Sequence, residues 1–208
     1  MSEHSLTMLA RMARANPMTP GERRRALIDA TRPLLLEYGT SITTRQIAEC
    51  AGVAEGTIFR AFGTKQDLID AVVEDCMAPE PVVAAIDAIP AEFDLEDTVT
   101  WVIKALSTRI QQIRLLMSAL SEPHPHKNPR KPPHGDFHRP VDQAIARVLA
   151  RFDDQLAVGT PTACWVVSAM AFAAEMPMMD RPDDGEPRNL ARLILHGIAA
   201  PITLEASC

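Results

Sequence analysis

The chain has 208 residues, 47% hydrophobic and 23% charged, with a formal net charge of −6 at pH 7, which is enough apolar material for a substantial core. Two Trp, one Tyr and six Phe leave Ala, Leu, Ile, Val and Met to fill that core, a composition that favours helices over strands. Cys50, Cys76, Cys164 and Cys208 stand singly, which argues against a disulfide framework or structural zinc.

In chain order, residues 1–18 read as an N-terminal extension with a short amphipathic pattern (Leu6, Leu9, Met12, Ala13) that ends at Asn16-Pro17. This stretch lacks the apolar core and cleavage site of a secretory leader, and no apolar run reaches about 18 residues without a charge or proline, so the expected compartment is a reducing cytoplasm. Thr19-Pro20-Gly21-Glu22 combines a cap, a proline at the first helical position and a capping-box glutamate. The helix it opens shows Leu27, Ala30, Thr31, Leu34 and Tyr38 on one face, with a kink expected at Pro33 and a stop at Gly39.

Three short helices are predicted next. Thr43 and Gln46 form a second capping box, and that helix ends at Cys50-Ala51 with Gly52 supplying a left-handed turn. A third helix spans roughly 54–62 and stops at Gly63; Thr64 and Asp67 open a fourth that reaches about Met77. Pro79 and Pro81 mark a boundary. Longer helices follow over 95–120, either one helix or a broken pair, and over 141–152, 160–176 and 188–200. Residues 121–140 carry six Pro and four His and read as a loop.

Charge divides along the same lines. Nine Lys/Arg against six Asp/Glu leave residues 1–65 at +3, and twelve cations against twenty-one anions leave the remainder at −9. A basic head on an acidic body suits a head that meets a polyanion.

A short helix, a glycine turn and a second short helix make a helix-turn-helix pattern. Ile47, Val53, Ile58 and Phe62 are its packing positions, and Ala48 is small where the helices cross. With Ile58 and Phe62 inward, Glu55, Gly56, Phe59 and Arg60 face outward, and Thr57 lies near the leading end. Arg60 carries a guanidinium able to fork onto a guanine edge.

The segment "ALIDATRPLLLEYG" followed by "TTRQIAECAGVAEGTIFRAFGTKQDLIDAV" resembles the DNA-binding domain of the TetR family of transcriptional regulators. The resemblance covers about a quarter of the chain. It implies an all-α fold: an N-terminal three-helix helix-turn-helix DNA-binding domain over 19–65, followed by a larger helical ligand-binding and dimerisation domain over 66–208. By matching positions, Thr43 and Thr44 would hold a phosphate at the start of the first helix of the motif. Arg45 would reach a phosphate or a base edge. Gly56 would admit the DNA backbone, Thr57 would meet a phosphate or a thymine methyl, and Arg60 would read a base directly. Lys65 would clamp the backbone outside the groove. Departures from the family pattern are Phe59 where Tyr is common, Ala61 for an aromatic residue or His, Ala54 for a Ser cap, and Glu55 where a base is frequent. Glu55 would either repel phosphate or accept from a cytosine amino group.

The resemblance further implies a homodimer paired through its last two long helices, with two recognition helices set on a palindromic DNA operator. "ACWVVSAMAFAAEM" is apolar nearly all round, and Leu190, Leu193, Ile194 and Gly197 share one stripe. Trp101, Met117, Trp165, Met170 and Phe172 are candidates to line a pocket for a largely apolar small-molecule effector, or else ordinary core. No catalytic constellation, cofactor motif or metal-ligand spacing stands out. His124, His126, His134 and His138 have neither helical nor finger spacing. The expected function is a repressor released from its operator by the effector. A metal- or thiol-responsive DNA binder using the His-rich loop or Cys50 and Cys76, and a small all-helical enzyme, are the alternatives.

Overall fold

The hydroxyl of Thr19 accepts from the Glu22 backbone N–H at 3.2 Å, while the Glu22 carboxylate accepts from the Thr19 N–H at 2.7 Å. This reciprocal cap, with Pro20 in the first turn, starts helix α1 (Pro20–Tyr38) in the computed structural model, which describes residues 18–120, 138–176 and 186–196. The helix runs through Pro33, which has no N–H to give to the preceding turn. Its buried residues are Leu27, Ile28, Thr31 and Leu35, so the inward stripe passes through Leu35, whereas Leu34 is half-buried and Tyr38 exposed. A 3-10 turn (Gly39–Ser41) follows, its glycine at φ +59°.

Helix α2 (Thr44–Ala51) opens on the second capping box, in which Thr43 and Gln46 exchange backbone bonds of 3.2 and 2.8 Å. Gly52 ends it at φ +65°, where a side chain would be strained. Helix α3 (Gly56–Phe62) stops at Gly63, φ +79°. Thr64 and Asp67 then cap α4 (Lys65–Met77) through reciprocal 3.1 Å bonds. Leu27, Leu35, Ile42, Ile47, Ile58, Leu68 and Val72, all essentially inaccessible, form the core of this first unit, which comprises residues 18–75 and 118–120 among those described. Within it Arg25 and Arg32 of α1 both ion-pair with Asp75 of α4. Arg24 spans α1 and α3, donating to the Ala61 carbonyl at 3.1 Å and lying 4.0 Å over the Phe62 ring.

The second unit holds residues 76–117 and the described residues from 138 on. Its elements are α5 (Glu80–Asp87), α6 (Leu95–Leu120, whose last turn belongs to the first unit), α7 (His138–Leu149), α8 (Thr160–Ala174) and α9 (Pro187–His196). Pro79 and Pro81, read from the sequence as a boundary, stand where α4 ends and α5 begins, close to the division between the two units; a proline in the first turn has no intrahelical N–H bond to lose. α7 starts at His138, so the last residues of the expected 121–140 loop are helical, while His124, His126 and His134 lie outside the described residues, as do residues 1–17 of the expected 1–18 extension, Gly197 and Cys208. α7 packs against α5 and α8, and α8 against α9, around Val82, Ile86, Val102, Ile145, Leu149 and Val167. Arg188 and Arg192 of α9 ion-pair with Glu96 and Asp97 at the start of α6. Among the described residues there is no strand, and no helix is long and apolar enough to cross a membrane.

Candidate nucleic-acid interface and ligand cavity

The helix-turn-helix is assembled by burial of one face of each short helix. Ile47 and Ala48 of α2 and Ile58 and Phe62 of α3 are buried, and the Val53 N–H donates to the Ala48 carbonyl at 3.0 Å across the turn. With a period of 3.6, burial of Ile58 and Phe62 turns the intervening residues outward. Glu55, Gly56, Phe59 and Arg60 are accordingly exposed, Phe59 to 49%, and Thr57 is half-buried.

These side chains differ in what holds them. Arg60 has no hydrogen bond or ion pair with any described residue. Arg45 makes an i,i+4 ion pair with Glu49 at 2.9 Å, with side chains 81% and 65% exposed; so exposed a pair is weak. The carboxylate holds the Arg45 guanidinium pKa above its ordinary value. Thr43 spends its hydroxyl on the cap of α2, and the half-buried Thr44 donates to the Glu55 carboxylate. A Cβ built on Gly56 meets nothing within 4 Å, so the protein's own packing does not require glycine there. Lys65 is partly buried, its ammonium donating to the carbonyls of Thr40 at 3.0 Å and Ile42 at 2.9 Å. Two of its three donors therefore hold the segment that leads into α2. That contact joins residues more than twenty positions apart and leaves no periodic trace in the sequence.

The second unit contains a cavity of about 660 Å³ between α5, α6, α7 and α8. Trp165 and Phe172 line it, each more than half exposed. Trp101, Met117 and Met170 are not in its wall. The Trp101 indole instead donates to the Ala85 carbonyl at 2.9 Å and meets Phe93 edge-on at 5.9 Å, Met117 is half-buried near the end of α6, and Met170 packs on the core. Sequence reasoning missed Arg109, Ile110, Ile113 and Ser168, which do line the cavity. For Arg109 the signal was present: it interrupts the apolar stripe Val102, Leu106, Ile113 and Leu116 of α6. Cys164 also faces the cavity, and burial pushes its thiol pKa up.

The head is thus a helix-turn-helix domain whose second helix presents an outward glycine, aromatic residue and arginine. Residues 27–72 match the family described as bacterial regulatory proteins, tetR family. That match covers the head, including both helices of the motif, so the head carries the DNA-binding region of that family. An uncharacterized HTH-type transcriptional regulator of Bacillus subtilis (strain 168) is 44% identical over 57 residues, a match that spans 27% of this chain and only 29% of that relative. Among solved structures, the TetR family transcriptional regulator PfmR from Thermus thermophilus superposes with a TM-score of 0.53 at 16% identity, covering 84% of this chain and 99% of that one. The fatty acid degradation regulator FadR from Bacillus halodurans gives a TM-score of 0.53 at 16% identity over 88% and 98%. At such identities the likeness is one of fold, and it extends over the helical second unit as well as the head.

Proposed function

We propose that the protein is a homodimeric transcriptional repressor that binds a palindromic operator through α3 and is released by a small, largely apolar effector bound in the second unit. The observation that carries the DNA reading is the outward set on α3. Ile58 and Phe62 are consumed by the core, while Gly56, Phe59 and the unengaged Arg60 are left to solvent. In this reading Thr43, Thr44 and Arg45 meet phosphates, Gly56 admits the backbone, Thr57 and Phe59 contact the groove wall, Glu55 tunes the choice of site, and Arg60 reads a base. Lys65 adds its charge near the backbone while bracing the approach to α2. The exposed Leu193 of α9 supports pairing with a second copy, and the cavity supports an effector. Such an effector and DNA would weaken one another's binding by the same factor.

Fluorescence anisotropy with duplexes from the promoter of the protein's own gene tests the proposal. Affinity should fall steeply with salt, and Arg60→Ala should cost about 1–3 kcal/mol on the preferred site and much less on random duplex. Failure to prefer any such duplex over random sequence would refute it. The alternative, a metal- or thiol-responsive binder, draws on Cys50, exposed on α2, since Cys76 is buried. DNA binding unchanged by zinc, copper, chelator and oxidant would remove it.

A further inference from the structure

The cavity wall is mainly aliphatic and aromatic, yet a charged side chain is built into it. Arg109 is only 7% exposed, and its guanidinium donates to the Ala78 carbonyl at 2.7 Å. A guanidinium is a five-donor group, able to hold protein partners and a ligand acceptor together. On α8, the Ser168 hydroxyl oxygen is buried in the same wall without a hydrogen-bond partner among the described residues. Native folds rarely leave such an atom unsatisfied unless something completes it. The charged groups lining the cavity are Arg109, Arg139 and Asp142, with His138 and the Cys164 thiol as further titratable ones. The balance is cationic, and the most deeply buried of these charges is the arginine.

We propose that the cavity binds an amphipathic organic anion. Its carboxylate-like head would pair with Arg109 and accept from the Ser168 hydroxyl, while its apolar body lies along Ile110, Ile113, Trp165 and Phe172. This rests on the reading that the second unit holds the effector. A cationic amphiphile sets its charge against Arg109, and a neutral one forgoes the charge-assisted bond that a buried guanidinium offers. The volume, about 660 Å³, lies in the ordinary range for pockets that take small organic ligands.

The test uses the full chain and three probes of equal chain length, dodecanoate, dodecan-1-ol and dodecylammonium, each below its micellar concentration and followed by the change in tryptophan emission, Trp165 being the tryptophan in the wall. Dodecanoate is expected to bind about tenfold more tightly than the alcohol, and dodecylammonium more weakly than either. Arg109→Met is expected to abolish that preference. If that variant does not fold, Arg109→Lys, which retains the charge, should keep most of the preference, and Ser168→Ala should narrow it. Alcohol or ammonium binding as tightly as dodecanoate overturns the anion inference and leaves the apolar-effector reading standing. Silence from all three probes overturns both. Emission that answers only to protein concentration assigns the groove to a second copy and likewise overturns the proposal.

Discussion

The Thr44 hydroxyl at the start of α2 donates to the carboxylate of Glu55 at the head of α3, eleven residues further on. The bond ties the two helices of the motif together at the surface proposed to meet DNA. It also occupies the hydroxyl assigned to a phosphate and sets a negative charge beside it. In the proposed DNA complex Glu55 would compete with the backbone for Thr44. Glu55→Gln retains an acceptor for Thr44 and removes the charge. Its affinity for random duplex should rise about fivefold, roughly 1 kcal/mol, with little change in thermal stability because the pair is exposed. Anisotropy titrations on random and preferred duplexes measure this; a loss confined to the preferred site would instead make Glu55 a base-reading group.

Gly56 separates folding from binding. Nothing lies within 4 Å of a Cβ placed there, and its backbone is not left-handed. Alanine should stabilise α3 by up to about 1 kcal/mol. If the position is kept open for a DNA backbone, Gly56→Ala should raise Tm slightly and weaken DNA binding at least about tenfold, since a methyl group would stand where the phosphate chain approaches. A thermal melt and a binding titration on the same sample decide it; unimpaired binding would show that α3 does not approach the duplex at this residue.

Lys65 should behave as a structural residue as much as a DNA-binding one. Its ammonium serves the Thr40 and Ile42 carbonyls just before α2. Lys65→Met leaves both acceptors without that donor and should cost about 1–3 kcal/mol of stability, read as a lowered denaturant midpoint. A pure phosphate clamp would leave the midpoint alone and only reduce the salt dependence of binding.

Acid should loosen the start of α1. Hydrogen bonds from the Thr19 backbone and side chain hold the Glu22 carboxyl below its ordinary pKa. A carboxyl depressed in the folded state adds stability above its unfolded pKa, and this contribution is lost as pH falls through the lower folded value. Helicity at the head of α1 should decline across that acidic window, and Glu22→Gln should lose the part of the pH dependence that comes from this carboxyl. Circular dichroism melts of both proteins from neutral to acidic pH measure the difference.

Capping pairs and glycine stops are local: Thr19 with Glu22, Thr43 with Gln46, Thr64 with Asp67, Gly52 and Gly63 each act within a few residues of themselves. For that reason the helices of the head and the outward set on α3 were legible in the linear chain, and a period of 3.6 sufficed to tell Ile58 and Phe62 from Phe59 and Arg60. What a side chain meets on a different helix leaves no such mark. Only the packing decided that Lys65 would brace Thr40 and Ile42, that Asp75 would take both Arg25 and Arg32, and that Trp165 rather than Trp101 would face the cavity. Arg109 stands between the two cases: its place on an apolar stripe was visible in the sequence, but α5, α7 and α8 had to close around it before that stripe became the wall of a cavity with a buried charge.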